Sequence, residues 1–199
     1  MLSNTPGPER TNLRFAEEVL AAFDFLTTDY GFHCTKVDVT FARYESQEVF
    51  VNVYHGRASY EVELEIGRFA ERVGTEEVKF GLGDIIGVMG ARSKTGYTFF
   101  QASTAGRVKR LVPRLAELLK QYGKDALSGD PQFFVRLRAE QSRTSREFWK
   151  ESDLRTIRGK AVEAWNQKNY LKVVELYESV RNDLTPAEVK KLEYAMKHL

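Results

Sequence analysis

The chain predicts an α+β fold: an N-terminal helix packed on an antiparallel β-meander of three to four strands, followed by an all-helical region. Three observations carry that expectation. Phe15, Val19, Phe23, Leu26 and Tyr30 recur at steps of four, four, three and four, which is one helical face. Apolar and polar residues then alternate in three stretches, most cleanly in Tyr60-Glu-Val-Glu-Leu-Glu-Ile66. Beyond about residue 130, nearly everything follows helical spacing. The expected organisation is a flexible arm over 1–10, an α+β domain over 11–128 and a helical region over 131–199.

Each element has its own signal. The first helix covers 11–29 and stops at Gly31, the residue type that best takes a left-handed C-cap. Strands follow over about 35–44 (Val37, Val39 and Phe41 on one side), 48–55 (Val49, Val51 and Val53 against Phe50, Asn52 and Tyr54) and 58–67. In the third strand Tyr60, Val62, Leu64 and Ile66 point inward and Glu61, Glu63 and Glu65 outward. Glu45-Ser46-Gln47 and His55-Gly56-Arg57 are short enough to make successive strands antiparallel. The glycine-punctuated stretch from Gly81 to Gly87 predicts one helical turn over Asp84–Met89, and Tyr97–Phe100 a short fourth strand. Val108, Leu111, Leu115, Leu118, Leu119 and Tyr122 form the stripe of a helix that Pro113 should kink and Gly123 should end. Asp130-Pro131 pairs an N-cap with a first-turn proline and opens a helix to about 150. Further helices are expected over 153–167, 170–182 and from 186 onward. The last opens on Thr185-Pro-Ala-Glu188, a capping box.

Charge is unevenly spread. Residues 1–70 hold 6 Lys/Arg against 11 Asp/Glu, whereas residues 131–160 hold 8 against 4. The chain is therefore acidic early and basic in its middle, with a net charge of only +2. No apolar run reaches the ~20 residues that span a bilayer. Met1–Arg10 lacks an apolar signal-peptide core, and the single Cys34 cannot form an internal disulfide. A cytoplasmic protein without membrane association is expected.

Two residue sets are candidate binding sites. Glu61, Glu63 and Glu65 put three carboxylates in a row ~7 Å apart, suited to docking a basic partner protein. A metal site would need converging oxygens, so no metal is assigned. Arg136, Arg143, Arg146 and Lys150 lie on the basic helices beside Phe148 and Trp149, where cations could meet phosphates and aromatics could stack on bases. The same cations could instead pair with acidic residues inside the protein. Gly81, Gly83 and Gly87 match neither the dinucleotide fingerprint nor the P-loop. His33, Cys34, His55 and His198 give no nucleophile–base pair and no shared metal geometry, so no catalytic residue and no cofactor is assigned.

Ala161-Val-Glu-Ala-Trp-Asn-Gln-Lys-Asn-Tyr170-Leu-Lys-Val-Val-Glu-Leu-Tyr177-Glu-Ser-Val180 resembles one tetratricopeptide-type helical hairpin, closed by Pro186. A small-residue helix, a polar turn and the spacing of Val173, Tyr177 and Val180 carry the likeness. Lys168 replaces the turn glycine, Val173 the usual small residue, and the proline comes one position late. The layout as a whole resembles small uncharacterised bacterial α+β proteins, including toxin-neutralising immunity proteins. The resulting expectation is a non-enzymatic protein–protein interaction protein, immunity-like or adaptor-like. Two alternatives stand beside it: a nucleic-acid-binding accessory protein using the basic helices 131–160, and an enzyme with a site near residues 81–90.

Overall fold

The computed structural model describes residues 8–199; residues 1–7 of the expected arm lie outside the described residues. In chain order the elements are α1 (Pro8–Thr11), α2 (Phe15–Ala22), α3 (Asp24–Tyr30), β1 (His33–Asp38), β2 (Phe41–Glu45), β3 (Val49–His55) and β4 (Glu61–Arg68). The short pieces β5 (Arg72–Val73), β6 (Glu76–Glu77), β7 (Phe80–Gly81), α4 (Leu82–Val88), α5 (Arg92–Thr95) and β8 (Phe100–Gln101) follow. Last come α6 (Ala105–Tyr122), α7 (Lys124–Leu127), α8 (Pro131–Asn166), α9 (Tyr170–Glu178) and α10 (Pro186–Met196). Two compact units result, Met1–Gln141 and Ser142–Leu199, each with its own apolar core.

The fold class is the expected one: an antiparallel sheet ordered β1-β2-β3-β4-β7, with β8 also paired to β4, helices before it and helices behind it. Several elements differ in detail. The first helix is two. Phe23 breaks the spiral between α2 and α3, and Phe23 and Phe25 then stack with centroids 6.1 Å apart inside the core. An unbroken helix would point residues two apart nearly opposite ways. Gly31 takes the left-handed cap, φ 69°.

The strand expected over 35–44 is a hairpin. Asp38 Oδ1 accepts from the Thr40 amide at 2.8 Å, a side-chain-made turn that folds β2 back on β1, with Asp38 opposite Phe41. The chain enters β4 at Glu61, three residues later than the expected start at 58. Tyr60 itself holds φ 54° in the preceding turn.

Across the sheet, Val51 faces Ile66 and Val53 faces Leu64. All four are fully buried on the side that carries the helical residues Val19, Phe23, Val108 and Leu115 of the same core. The opposite side is the one the alternation predicts to be wet, yet Phe50 and Asn52 are buried there too. The stretch from Phe69 to Gln101 supplies a second cover through its β5–β6 ribbon, while Leu82, Ile85 and Ile86 of its α4 join the first core. It was expected as a glycine-rich connection with one helical turn; it folds into the β5–β6 ribbon, β7, α4 and α5. The short strand expected at 97–100 forms at Phe100–Gln101 instead.

Thr104 caps α6 by accepting from the Arg107 amide, and the helix continues through Pro113 to Tyr122. Val112 occupies the buried position expected for Leu111. One 36-residue helix, α8, replaces the two expected over 131–150 and 153–167. No glycine or proline lies between Gln132 and Arg158 to end it, and the Ser152-Asp153 pair does not act as a cap. In the second unit, Ala161, Ala164, Val173, Tyr177, Leu192 and Ala195 form the core. Lys168 sits at φ 56° in the turn before α9. The expected 170–182 helix ends at Glu178, while the Thr185–Glu188 capping box forms as expected.

Gly67 on β4 is where the second cover comes closest. A Cβ there would overlap the Val78 carbonyl oxygen and the Phe50 ring. Gly67→Ala is expected to destabilise the protein by ~1–3 kcal/mol in urea unfolding, because neither neighbour can withdraw without lifting the cover. An unchanged midpoint would contradict this account of the packing.

Candidate functional site

The second face of the sheet carries a network of partly covered ionisable groups, and Arg43 on β2 is its hub. Its Nε donates to Glu45 Oε1 at 2.5 Å, Nη1 to Asn52 Oδ1 at 3.2 Å and Glu77 Oε2 at 3.0 Å, and Nη2 to Glu77 Oε1 at 2.7 Å. The guanidinium also lies 4.3 Å from the centre of the Phe50 ring. Donation by Arg43 holds the Glu77 carboxyl below its ordinary value. Asn52 passes the chain on to Glu65, which also pairs with Lys79 at 3.4 Å.

The candidate carboxylates lie in this same region, on β4. Glu61, Glu63 and Glu65 are half-covered rather than fully open to water. Glu63 stands opposite Tyr54 and accepts from the Tyr97 hydroxyl at 3.2 Å. Burial, then the charge of Glu61, push the Glu63 carboxyl up to about 7 against the partial relief given by Tyr97. Asp84, also raised by burial, spends one oxygen on the Gly81 amide at 3.0 Å, capping α4. The Tyr54 and Tyr97 phenols are pushed up by burial and by Glu63. A carboxyl poised near neutrality beside a phenol can hold and release one proton, the property a general acid or base needs. Tyr54 was legible as a strand residue on the face away from Val49, Val51 and Val53, though not as the residue opposite Glu63. Tyr97 and Arg43 were not: Tyr97 reaches the face from a segment whose placement no local pattern fixes, and Arg43 lies on β2, which the turn at Asp38 makes a separate strand.

His55 is the other buried polar centre. Its Nε2 donates to the Ala102 carbonyl at 2.8 Å, so Nδ1 accepts from Arg10 Nη1 at 2.8 Å. Arg10 also donates to the carbonyls of Gly56 and Arg57 and lies 3.9 Å from the centre of the Tyr60 ring. Burial lowers the His55 pKa. Both ring nitrogens are engaged, and the group fastens α1 to the sheet.

The candidate cations of α8 are largely partnered at home. Arg136 meets Asp125 at 3.7 Å, Arg143 meets Glu147 at 2.6 Å and Lys150 meets Asp183 at 2.6 Å. Arg138 and Arg158, on the same helix, pair with Glu71 and Glu188. Arg146 differs. It lines an open groove of about 530 Å³ within the second unit, with Trp149, Lys150, Leu154, Ile157 and Val180. Trp149 is 64% exposed, and the neighbouring Phe148, edge-on to it, is 65% exposed.

Among the described residues no group of three or more His, Cys, Asp or Glu is placed to hold a metal ion, and no helix is long and apolar enough to cross a membrane. Comparison with protein-family models, with curated proteins and with solved structures finds no match to this chain.

Because the folded-state Glu63 value of about 7 exceeds its ordinary 4.5, the folded state prefers this carboxyl protonated. Its contribution to stability is complete below the unfolded value and is lost as pH rises through 7. Glu63→Gln should therefore flatten the decline in melting temperature from about pH 5 to 8 and exceed the parent protein at pH 8. Parallel pH profiles for the two proteins would show that Glu63 titrates normally.

Proposed function

We propose that the protein is a non-enzymatic interaction protein that binds another protein, in an immunity-like or adaptor-like role in the cytoplasm, and that the helical unit makes the contact. The observation that carries this reading is the pair of large aromatic rings, Phe148 and Trp149, left open beside the Arg146 groove. Contiguous exposed apolar surface is where soluble proteins meet partners, and Trp and Arg are the residues that most often dominate such contacts. Covering one such ring is worth ~2–3 kcal/mol. A partner that fits would place an apolar side chain against Trp149 and an acidic one against Arg146.

The resemblance of 161–186 to a tetratricopeptide hairpin supports the same reading. The acidic row is the weaker docking surface, since Glu63 and Glu65 already engage Tyr97 and Lys79. Nucleic-acid binding is a second reading, favoured by Trp149 beside Arg146 but opposed by the local pairing of Arg143 and Lys150. An enzyme sited near 81–90 has less support, because Asp84 serves as the cap of α4.

The test is capture from lysate by the immobilised protein, with and without nuclease. Phe148→Ala/Trp149→Ala should cut capture at least tenfold while the melting temperature stays within about 2 °C, since both rings are exposed. Capture that survives the double substitution contradicts the proposed surface. Capture lost to nuclease and to moderate salt moves the assignment to nucleic acid.

A further inference from the structure

The sheet ends on one side at β1, and every residue of that strand is exposed. Among the described residues, the only hydrogen bond its backbone makes outside the β1–β2 ladder is from Cys34 Sγ to the Lys36 carbonyl, at 3.6 Å. A strand edge in this condition is a template for another strand. We infer that β1 pairs antiparallel with β1 of a second copy of this chain, joining the two sheets across a two-fold axis.

Self-complementarity of the strand selects that occupant. In the antiparallel register centred between Thr35 and Lys36, His33 of each copy faces Asp38 of the other, and Cys34 faces Val37. Side-chain orientation agrees. Cys34 and Val37 stand opposite the buried Tyr44 and Ala42, on the helix side of the sheet. His33 and Asp38 stand opposite Glu45 and Phe41, on the other. The irregularity between Cys34 and Lys36 restores this matching, because without it Cys34 and Val37 would point to opposite faces. An imidazole facing a carboxylate donates a hydrogen bond at each end of the paired strands.

Lys36 is the kind of residue that guards an edge, but its ammonium lies over the Phe41 ring, 5.4 Å from the centroid. Beside the strand, an apolar groove lined by Phe15, Leu20, Val37 and Val39 extends the surface. Leu20 is 43% and Val37 45% exposed, and a partner strand would bring its own apolar residues against them. The contact is isologous, so it closes at a dimer and leaves no edge for growth.

Sedimentation of the full chain from about 1 to 200 μM should show a monomer–dimer equilibrium. Val37→Lys places an ammonium opposite Cys34 on the helix side and should weaken the dimer at least tenfold, whereas Trp149→Ala should leave it unchanged. Register is read separately. Val37→Cys should give a disulfide-linked dimer on mild oxidation, and adding Cys34→Ser should abolish it. A monomer throughout the range overturns the inference. So does a dimer that ignores Val37→Lys but falls with Trp149→Ala, since the helical unit would then be joining the copies.

Discussion

The sheet is covered on both faces, and the second cover depends on keeping Arg43 satisfied. A guanidinium removed from water costs several kcal/mol unless its donors are met. Here Glu45, Asn52 and both oxygens of Glu77 meet them, and Phe50 faces the cation. Glu77 belongs to the β5–β6 ribbon, so the same ion pair that satisfies Arg43 fastens the ribbon to the sheet. Gly67 lets the Val78 carbonyl come close, and Phe80 on β7 completes the edge beside Ile66. The first face is packed mainly by apolar side chains around Val51, Val53, Leu64 and Ile66, and its buried polar pair is Arg10 with His55.

Partial burial of the second face also accounts for the chemistry of the acidic row. A strand face open to water would leave three glutamates near their ordinary values. Tyr97 and α4 cover Glu63 enough to favour its neutral form, while Glu65 keeps Lys79. The helical unit is built the other way. Its core uses small residues, Ala161, Ala164 and Ala195, around Val173 and Tyr177, and two of its largest side chains, Phe148 and Trp149, stay outside.

Much of this was legible in the residues. The alternation in Val49–Val53 and Val62–Ile66 marked both strands and the core face of the second, and Thr185-Pro-Ala-Glu188 marked the start of the last helix to the residue. Local pattern failed where a side chain, rather than the backbone period, decided the outcome. Asp38 made a turn inside a stretch that alternates like one strand, and Phe23 bent a continuous helical stripe. A break near residue 150 was expected, but a helix continues unless something ends it. The candidate site was half legible. Alternation marks Glu63 and Tyr54 as residues of pleated strands, whereas Tyr97, Arg43 and the Arg10–His55 pair join segments 34 to 45 residues apart. The exposure of Trp149 was equally out of reach, because the same helix period fits a buried or an open ring.

The most direct test of the Arg43-centred account is a double-mutant cycle on Arg43→Met and Glu77→Gln, read by urea unfolding at neutral pH. If the pair holds the second cover in place, the coupling free energy should exceed ~1 kcal/mol, above what exposed ion pairs contribute. A coupling below ~0.3 kcal/mol would mean the two residues act independently, and that the cover is held by its apolar contacts instead.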